Sequence, residues 1–186
     1  MDTEILKKTG AIKKGHFLLA SGLHSEFYFQ AQSLLQHPRY ASLAGEEIAE
    51  LWKEDRIDVV VSLAIGGIVL GQEVARHLNC RHIFVERKNR EFSLQRGFCI
   101  TPRERTLLVE DVITTGGSLK EALELLSSYS ASIIGITSMV IRGNPELPYP
   151  LKYLIELDWH KYEPDECPLC KNNIELYTPG SKQSKK

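Results

Sequence analysis

The sequence predicts an α/β fold: a mostly parallel, twisted sheet with helices on both faces. Three observations carry that prediction. Strand-sized apolar runs at residues 58–63, 106–109 and 132–141 alternate with helix-forming stretches at 68–78 and 119–129. Strand–helix–strand units at this spacing need right-handed crossovers, which make the strands parallel and cover the sheet on both faces. The composition, 42% hydrophobic and 25% charged over 186 residues, suits one domain with a full core and a decorated edge. The longest apolar stretches are strand-sized, so no transmembrane helix is expected.

Each element has a local reason. Residues 4–9 read as a short helix stopped by Gly10. Phe17-Leu18-Leu19 and Phe27-Tyr28-Phe29 read as two short strands about a turn at Ser21-Gly22. Pro38 fits the first turn of a helix running to about Glu54, with Leu43, Ala44, Ile48 and Leu51 on one face. After the strand at 58–63, Gly66-Gly67 punctuates and a helix follows over 68–78. Residues 81–86 form a strand, 87–95 a charged loop and 98–101 a short strand. The strand at 106–109 leads to a helix at 119–129, with Ala122, Leu123 and Leu126 inward. Strands at 132–141 and 153–157 complete the sheet, and a polar tail begins at Gly180. In such sheets ligands bind outside the carboxyl ends of the strands. The loops after Leu63, Glu86, Val109 and Ile141 are therefore expected at one edge.

Charge excludes some partners. Lys and Arg number 23 against 24 Asp and Glu, a net charge of −1. No nucleic-acid or membrane surface is expected from that balance. The first residues carry acids and no signal-peptide core, so the expected compartment is the cytoplasm. Of the four cysteines, Cys80 and Cys99 read as small buried hydrophobes. Cys167-Pro168-Leu169-Cys170 is half of a zinc site, with His160 the nearest candidate third ligand. No metal is expected there. His16, His24, His37, His77, His82 and His160 show no ligand spacing.

The chemistry concentrates in residues 106–118. The apolar run Thr106-Leu107-Leu108-Val109 ends in Glu110-Asp111. Then come Val112-Ile113 and the small-residue loop Thr114-Thr115-Gly116-Gly117-Ser118. Adjacent carboxylates can accept hydrogen bonds from vicinal hydroxyls. A Thr/Gly/Ser loop before a helix turns N–H groups and hydroxyls onto a phosphate. The bland alternative is a helix entry with Ser118 as N-cap, which uses the same geometry. Gly66 and Gly71 have the spacing of a nucleoside-triphosphate loop, but Gln72-Glu73 follows where Lys-Ser/Thr is needed. No GxGxxG occurs. Two glycine loops without lysine fit a ligand with two separate phosphate groups better than a triphosphate.

The segment 106–118 resembles the phosphoribosyl-pyrophosphate signature of the type I phosphoribosyltransferases. Further stretches extend the resemblance, and within that family the orotate enzymes are the most similar. Residues 15–29 resemble their N-terminal hood, so that 1–36 would form the hood, 160–186 a tail, and 1–186 one domain. Ala64-Ile65-Gly66-Gly67 resembles the pyrophosphate loop, and residues 86–98 the mobile catalytic loop. The Cys-Pro-Leu-Cys tail resembles one bacterial branch.

The resemblance implies transfer of 5-phosphoribose from phosphoribosyl pyrophosphate to orotate. The products are orotidine 5′-monophosphate and pyrophosphate, in pyrimidine synthesis. It implies Mg2+, and a homodimer. Glu110 and Asp111 would hold the ribose hydroxyls, directly or through Mg2+. Thr114, Thr115, Gly116, Gly117 and Ser118 would cradle the 5-phosphate, with Val112 and Ile113 also binding phosphoribosyl pyrophosphate and Thr114 also at the base. Ile65, Gly66 and Gly67 would hold pyrophosphate on a strained or cis peptide. Arg87 and Lys88, with Asp111, would be catalytic. Tyr28, Phe29 and Arg142 would join Thr114 around orotate, Arg142 on its carboxylate. Alternation predicts that one of Tyr28 and Phe29 is a core aromatic instead. The bland reading of Arg142 is a surface residue in a turn before Gly143.

The mobile loop departs from the family pattern Arg-Lys-x-x-Lys-x-His-Gly. It reads Arg87-Lys88-Asn89-Arg90-Glu91-Phe92-Ser93-Leu94-Gln95-Arg96-Gly97, without the second lysine or the histidine. Arg96 can hold pyrophosphate charge but cannot donate a proton usefully. Ala20 stands where many orotate enzymes carry lysine. Two alternatives stay open: a phosphoribosyltransferase for another base, and a non-catalytic regulator that senses phosphoribosyl pyrophosphate.

Overall fold

A computed structural model describes residues 1–179, so the polar tail expected from Gly180 lies outside the described residues. The chain forms two compact units. One comprises Met1 and residues 35–157; the other joins residues 2–34 to residues 158 onward.

The larger unit is built on a six-stranded sheet in the order β5-β4-β3-β6-β7-β8. Its strands are β3 (Val59–Leu63), β4 (Arg81–Lys88), β5 (Glu91–Leu94), β6 (Arg105–Ile113), β7 (Ser132–Ile141) and β8 (Leu151–Glu156). All neighbours pair parallel except β5, which returns antiparallel on β4. Every residue of β3 is buried. That is why Val59-Val60-Val61 reads as a continuous apolar run and not as an alternation. Helices α3 (Pro38–Leu51), α4 (Gly67–Leu78) and α5 (Gly117–Ser128) belong to this unit. As expected, Ala122, Leu123 and Leu126 of α5 are buried, in one cluster with Val59, Val61 and Leu108.

The buried face of α3 differs from expectation. Leu51 is exposed, and the face is Ala41, Ala44, Gly45, Ile48 and Ala49. Close helix contact explains it. A Cβ at Gly45 would stand 2.5 Å from Cβ of Glu73 and 2.7 Å from its carbonyl carbon. Small residues let α3 approach α4, and Leu51 lies one turn beyond. Trp52 is fully buried beneath Gly135, where a Cβ would meet the indole at 2.0 Å.

Two local expectations fail. Residues 87–95 are not a loop: Arg87 and Lys88 finish β4, and β5 pairs back through Arg87↔Phe92 and Lys88↔Glu91. Asn89 and Arg90, at φ 54° and 74°, make the tight turn that such a hairpin favours. Residues 98–101 are not a strand. Glu104 organises them instead, accepting from Thr101 N–H at 2.9 Å and from Arg81 Nε at 2.7 Å.

The smaller unit holds α1 (Thr3–Lys8), β1 (Ile12–Leu18), β2 (His24–Phe29) and β9 (Lys161–Tyr162). Helix α2 (Ala31–Leu35) leads out of it. The three strands form an antiparallel sheet in the order β1-β2-β9. A 3-10 turn (Pro164–Glu166) and the short helix α6 (Pro168–Lys171) follow β9. Asp2 caps α1 through Glu4 N–H at 3.0 Å, and Gly10 takes φ 70° just past its end. The tail returns to β1: Leu18 N–H donates to Tyr177 O at 2.9 Å and Tyr177 N–H to His16 O at 2.8 Å.

Candidate active site

Strand β6 runs four residues beyond the expected Val109, so Glu110 and Asp111 lie within the ladder, with Glu110 opposite Ser138 of β7. Both acids are half-buried at the carboxyl end of a central strand. Burial pushes the Glu110 carboxyl well above the usual range, and the neighbouring Asp111 charge adds to the shift. Asp111 accepts a hydrogen bond from Val112 N–H at 3.0 Å. A carboxylate pair this dry is poised for a ligand that brings donors or a cation.

The Ala64–Gly67 turn meets that pair. A Cβ at Gly66 would sit 2.6 Å from Oδ2 of Asp111, and one at Gly67 2.9 Å from the Val109 carbonyl. Glycine is therefore required at both positions for α4 to start against the acids. The Ala64–Ile65 peptide is cis, the form in view from the sequence. Ile65 is 86% exposed, and Gly66 is the N-cap of α4. The Gly66 turn, more than forty residues upstream of the second glycine loop, thus packs on Asp111.

Residues 114–118 connect β6 to α5. Gly116 takes φ 75°, and a Cβ there would press on Pro145 at 3.1 Å. Ser118 is not the cap: α5 begins at Gly117, the N-cap is Gly116, and no side chain bonds to the first-turn N–H groups. The αL glycine ends the strand sharply and starts the helix before the serine is reached. Those open N–H groups and the helix dipole make an anion site. Glu110, Val112 and Ile113 line a pocket with Thr114, Thr115, Gly116, Gly117 and Ser118. Thr114 and Thr115 are exposed in it.

Arg142 is buried, not a surface residue in a turn. It follows β7, and its backbone N–H donates to Ile113 O at 2.8 Å. The signature loop therefore lies beside it.

The cationic hairpin is differently disposed. Arg87 forms a fork with both oxygens of Glu121 on α5, each at 2.7 Å, and its guanidinium lies 4.1 Å from the Phe92 ring centre. Arg96 pairs with Glu86, with Nε 2.9 Å from Oε1. Lys88 and Arg90 are exposed. Glu86 and Glu121 were not foreseen as partners, because isolated acids on a strand and a helix read as solvated. In the smaller unit, Phe29 is 4% exposed and serves that unit's core. Tyr28 is half-buried with its ring 5.6 Å from that of Phe17, so the predicted split between the two aromatics holds.

Cysteine placement corrects one expectation. Cys99 is exposed, while Cys80 is half-buried and its thiol is pushed up to about 11 by burial. Cys99 lies in the irregular segment that replaces the expected strand, so no strand partner covers it.

A family model described as phosphoribosyl transferase domain matches residues 30–166. The chain belongs to the phosphoribosyltransferase family. Among its relatives, the orotate phosphoribosyltransferase of Caldicellulosiruptor saccharolyticus is 46% identical over 98% of this chain and 96% of its own length. The orotate phosphoribosyltransferase of Thermotoga maritima is 45% identical, covering 98% of each chain. The crystal structure of orotate phosphoribosyltransferase from Aeropyrum pernix superposes with a TM-score of 0.76 at 26% identity, over 84% of this chain and 94% of that one. The parallel sheet of this phosphoribosyltransferase is thus the fold of its family, and its signature loop falls inside the matched span.

Proposed function

We propose that the protein is an orotate phosphoribosyltransferase. It takes phosphoribosyl pyrophosphate and orotate and releases orotidine 5′-monophosphate and pyrophosphate. The observation that carries the reading is the Gly66 turn packed against Asp111, next in the chain to Glu110, which lines a pocket with the second lysine-free glycine loop. One loop suits the 5-phosphate and the other the pyrophosphate, with the acids between them for the ribose. The choice of orotate is supported by relatives of that name along nearly the full chain.

In the reaction, the orotate ring nitrogen gives up its proton to solvent and forms a bond to C1 of the ribose as the C1–O bond to pyrophosphate breaks, with inversion. The electron pair of that bond leaves with pyrophosphate. Positive charge develops on the sugar, so positioning and leaving-group stabilisation dominate. Residues 114–118 fix the phosphate end through N–H groups and hydroxyls. Glu110 and Asp111 accept from the two ribose hydroxyls and hold the ring. The Ile65–Gly67 backbone takes the pyrophosphate, and Arg87 with Lys88 neutralises it and excludes water. Arg142 pairs with the orotate carboxylate and Thr114 borders the base. Glu110 and Asp111, as hard oxygen donors, would hold Mg2+, and the ion would supply positive charge against the pyrophosphate. We assign the enzyme to the cytoplasm and expect a homodimer.

Glu110→Gln combined with Asp111→Asn tests the ribose-hydroxyl role. The variant is expected to fold, judged by circular dichroism, and to lose measurable affinity for phosphoribosyl pyrophosphate by calorimetry. Unchanged affinity would refute that role.

A further inference from the structure

The smaller unit contains a group of side chains that the transferase reaction does not use. His16 on β1, His24 on β2 and the cysteines Cys167 and Cys170 turn one ligating atom each toward a common point, all within 4.8 Å of one another. His16 Nε2 lies 2.9 Å from His24 Nδ1 and 3.5 Å from the sulfur of Cys167. The sulfur of Cys170 is 3.7 Å from His16 Nε2 and 3.3 Å from His24 Nδ1. We infer that His16, His24, Cys167 and Cys170 form a structural zinc site that clasps the C-terminal tail onto the β1-β2 hairpin.

The donor set and the spacing favour zinc. Two imidazoles and two thiolates are a complete tetrahedral set for Zn2+. With Zn–N of about 2.0–2.1 Å and Zn–S of about 2.3 Å, a tetrahedral ion needs roughly 3.3 Å between nitrogens and roughly 3.6 Å between nitrogen and sulfur. The three nitrogen–sulfur separations, 3.3 to 3.7 Å, bracket the second value, and the nitrogen pair at 2.9 Å needs only a small opening to reach the first. No carboxylate belongs to the group, which disfavours Mg2+ and Ca2+.

The surroundings are those of a metal centre. The Ile174 carbonyl lies 2.8 Å from His16 Nδ1 and can only accept, so Nδ1 carries the proton. Nε2 is then the lone pair aimed at the other three atoms. A ligating histidine whose second nitrogen donates to a backbone carbonyl is the usual outer-shell arrangement. His16, His24 and Cys167 are buried, at 2%, 5% and 0% exposure. Two imidazoles and a thiol buried together are a poor apolar core but a good ligand shell.

The fold has a use for the ion. Among the described residues the tail pairs with β2 only at Tyr162 on His24 and Lys161 on Ser25, and with β1 through Tyr177 alone. Its helix α6 is four residues long and buries none of them. So short a segment does not hold its shape by packing alone, and small units of this kind rely on metals or disulfides. The sequence hid the site because its halves are 151 residues apart, from His16 to Cys167. His160, the nearest candidate for a third ligand in the sequence, is exposed and packs on Tyr162 with ring centres 4.5 Å apart.

The test uses the full chain, purified under reducing conditions without an affinity tag that binds metal. Elemental analysis after exhaustive dialysis is expected to give one zinc per chain. Exchange for Co2+ is expected to give the visible bands of a tetrahedral ion and a near-ultraviolet thiolate charge-transfer band. Thiol labelling of the native protein should reach Cys167 and Cys170 only after chelation. Cys170→Ser, at the one exposed ligand, is expected to weaken zinc retention and the charge-transfer band. A chain without zinc that also fails to take up Co2+ in tetrahedral form overturns the inference. A Cys167–Cys170 disulfide in freshly purified protein, or octahedral cobalt, overturns it too. The wild-type measurements decide the matter even where a variant fails to fold.

Discussion

At the scale of single residues, burial and charge decide protonation. His82 sits between Ser62 and Gln72, with Nε2 2.9 Å from Ser62 Oγ and Nδ1 3.2 Å from Gln72 Oε1. Burial lowers its pKa from 6.5 to about 4. The folded state therefore refuses a proton that the unfolded chain accepts. Its contribution is complete above pH 6.5 and is lost as pH falls from there toward about 4. Melting temperature followed over that window should fall more steeply for wild type than for His82→Gln; equal slopes would remove His82 as the cause. Gly71 belongs to the same cluster, since a Cβ there would stand 1.8 Å from Ser62 Oγ. Arg142 poses a different question. Its guanidinium is buried, and its backbone joins the signature loop at Ile113. Arg142→Ala is expected to raise KM for orotate at least tenfold with a much smaller change for phosphoribosyl pyrophosphate. Steady-state kinetics checks this, and an effect confined to the sugar donor would move the base elsewhere.

At the scale of elements, legibility followed burial. Strand β7 was read with its observed limits, because its last seven residues are buried and apolarity marks them. The hairpin of β4 and β5 was read as a loop, because only Phe92 of β5 is buried and its neighbours are charged or polar. Its pairing depends on a two-residue turn at Asn89-Arg90, which carries no glycine to announce it. The same hairpin holds Arg87 against Glu121, and in the proposed mechanism the guanidinium exchanges that carboxylate for pyrophosphate. Both partners are partly exposed, and such pairs contribute about 0–1 kcal/mol to stability. Arg87→Ala is thus expected to shift the melting temperature by no more than about 4 °C for a pair of that strength. It should nonetheless lower kcat by more than about tenfold, the size expected for a charge-stabilising group. A large stability loss with kcat intact would make Arg87 a structural residue only.

At the scale of the whole molecule, the signature and the sheet were legible because the chemistry is contiguous. Glu110 to Ser118 is one stretch, and its glycines announce the turn. What the sequence conceals depends on distant segments meeting without a shared motif: His16 and His24 on the Cys167–Cys170 turn. The altered residues between Arg87 and Gly97 leave leaving-group protonation without a histidine, so the account rests on electrostatic clamping. Base choice is its most exposed claim, since the donor site is shared across the family. The direct measurement gives the enzyme limiting phosphoribosyl pyrophosphate and Mg2+ with equal amounts of orotate, uracil, adenine, guanine and hypoxanthine, and identifies the nucleotide by mass. The account predicts orotidine 5′-monophosphate as the dominant product, matched by pyrophosphate release. A purine nucleotide with orotate untouched, or no product from any base, would contradict it.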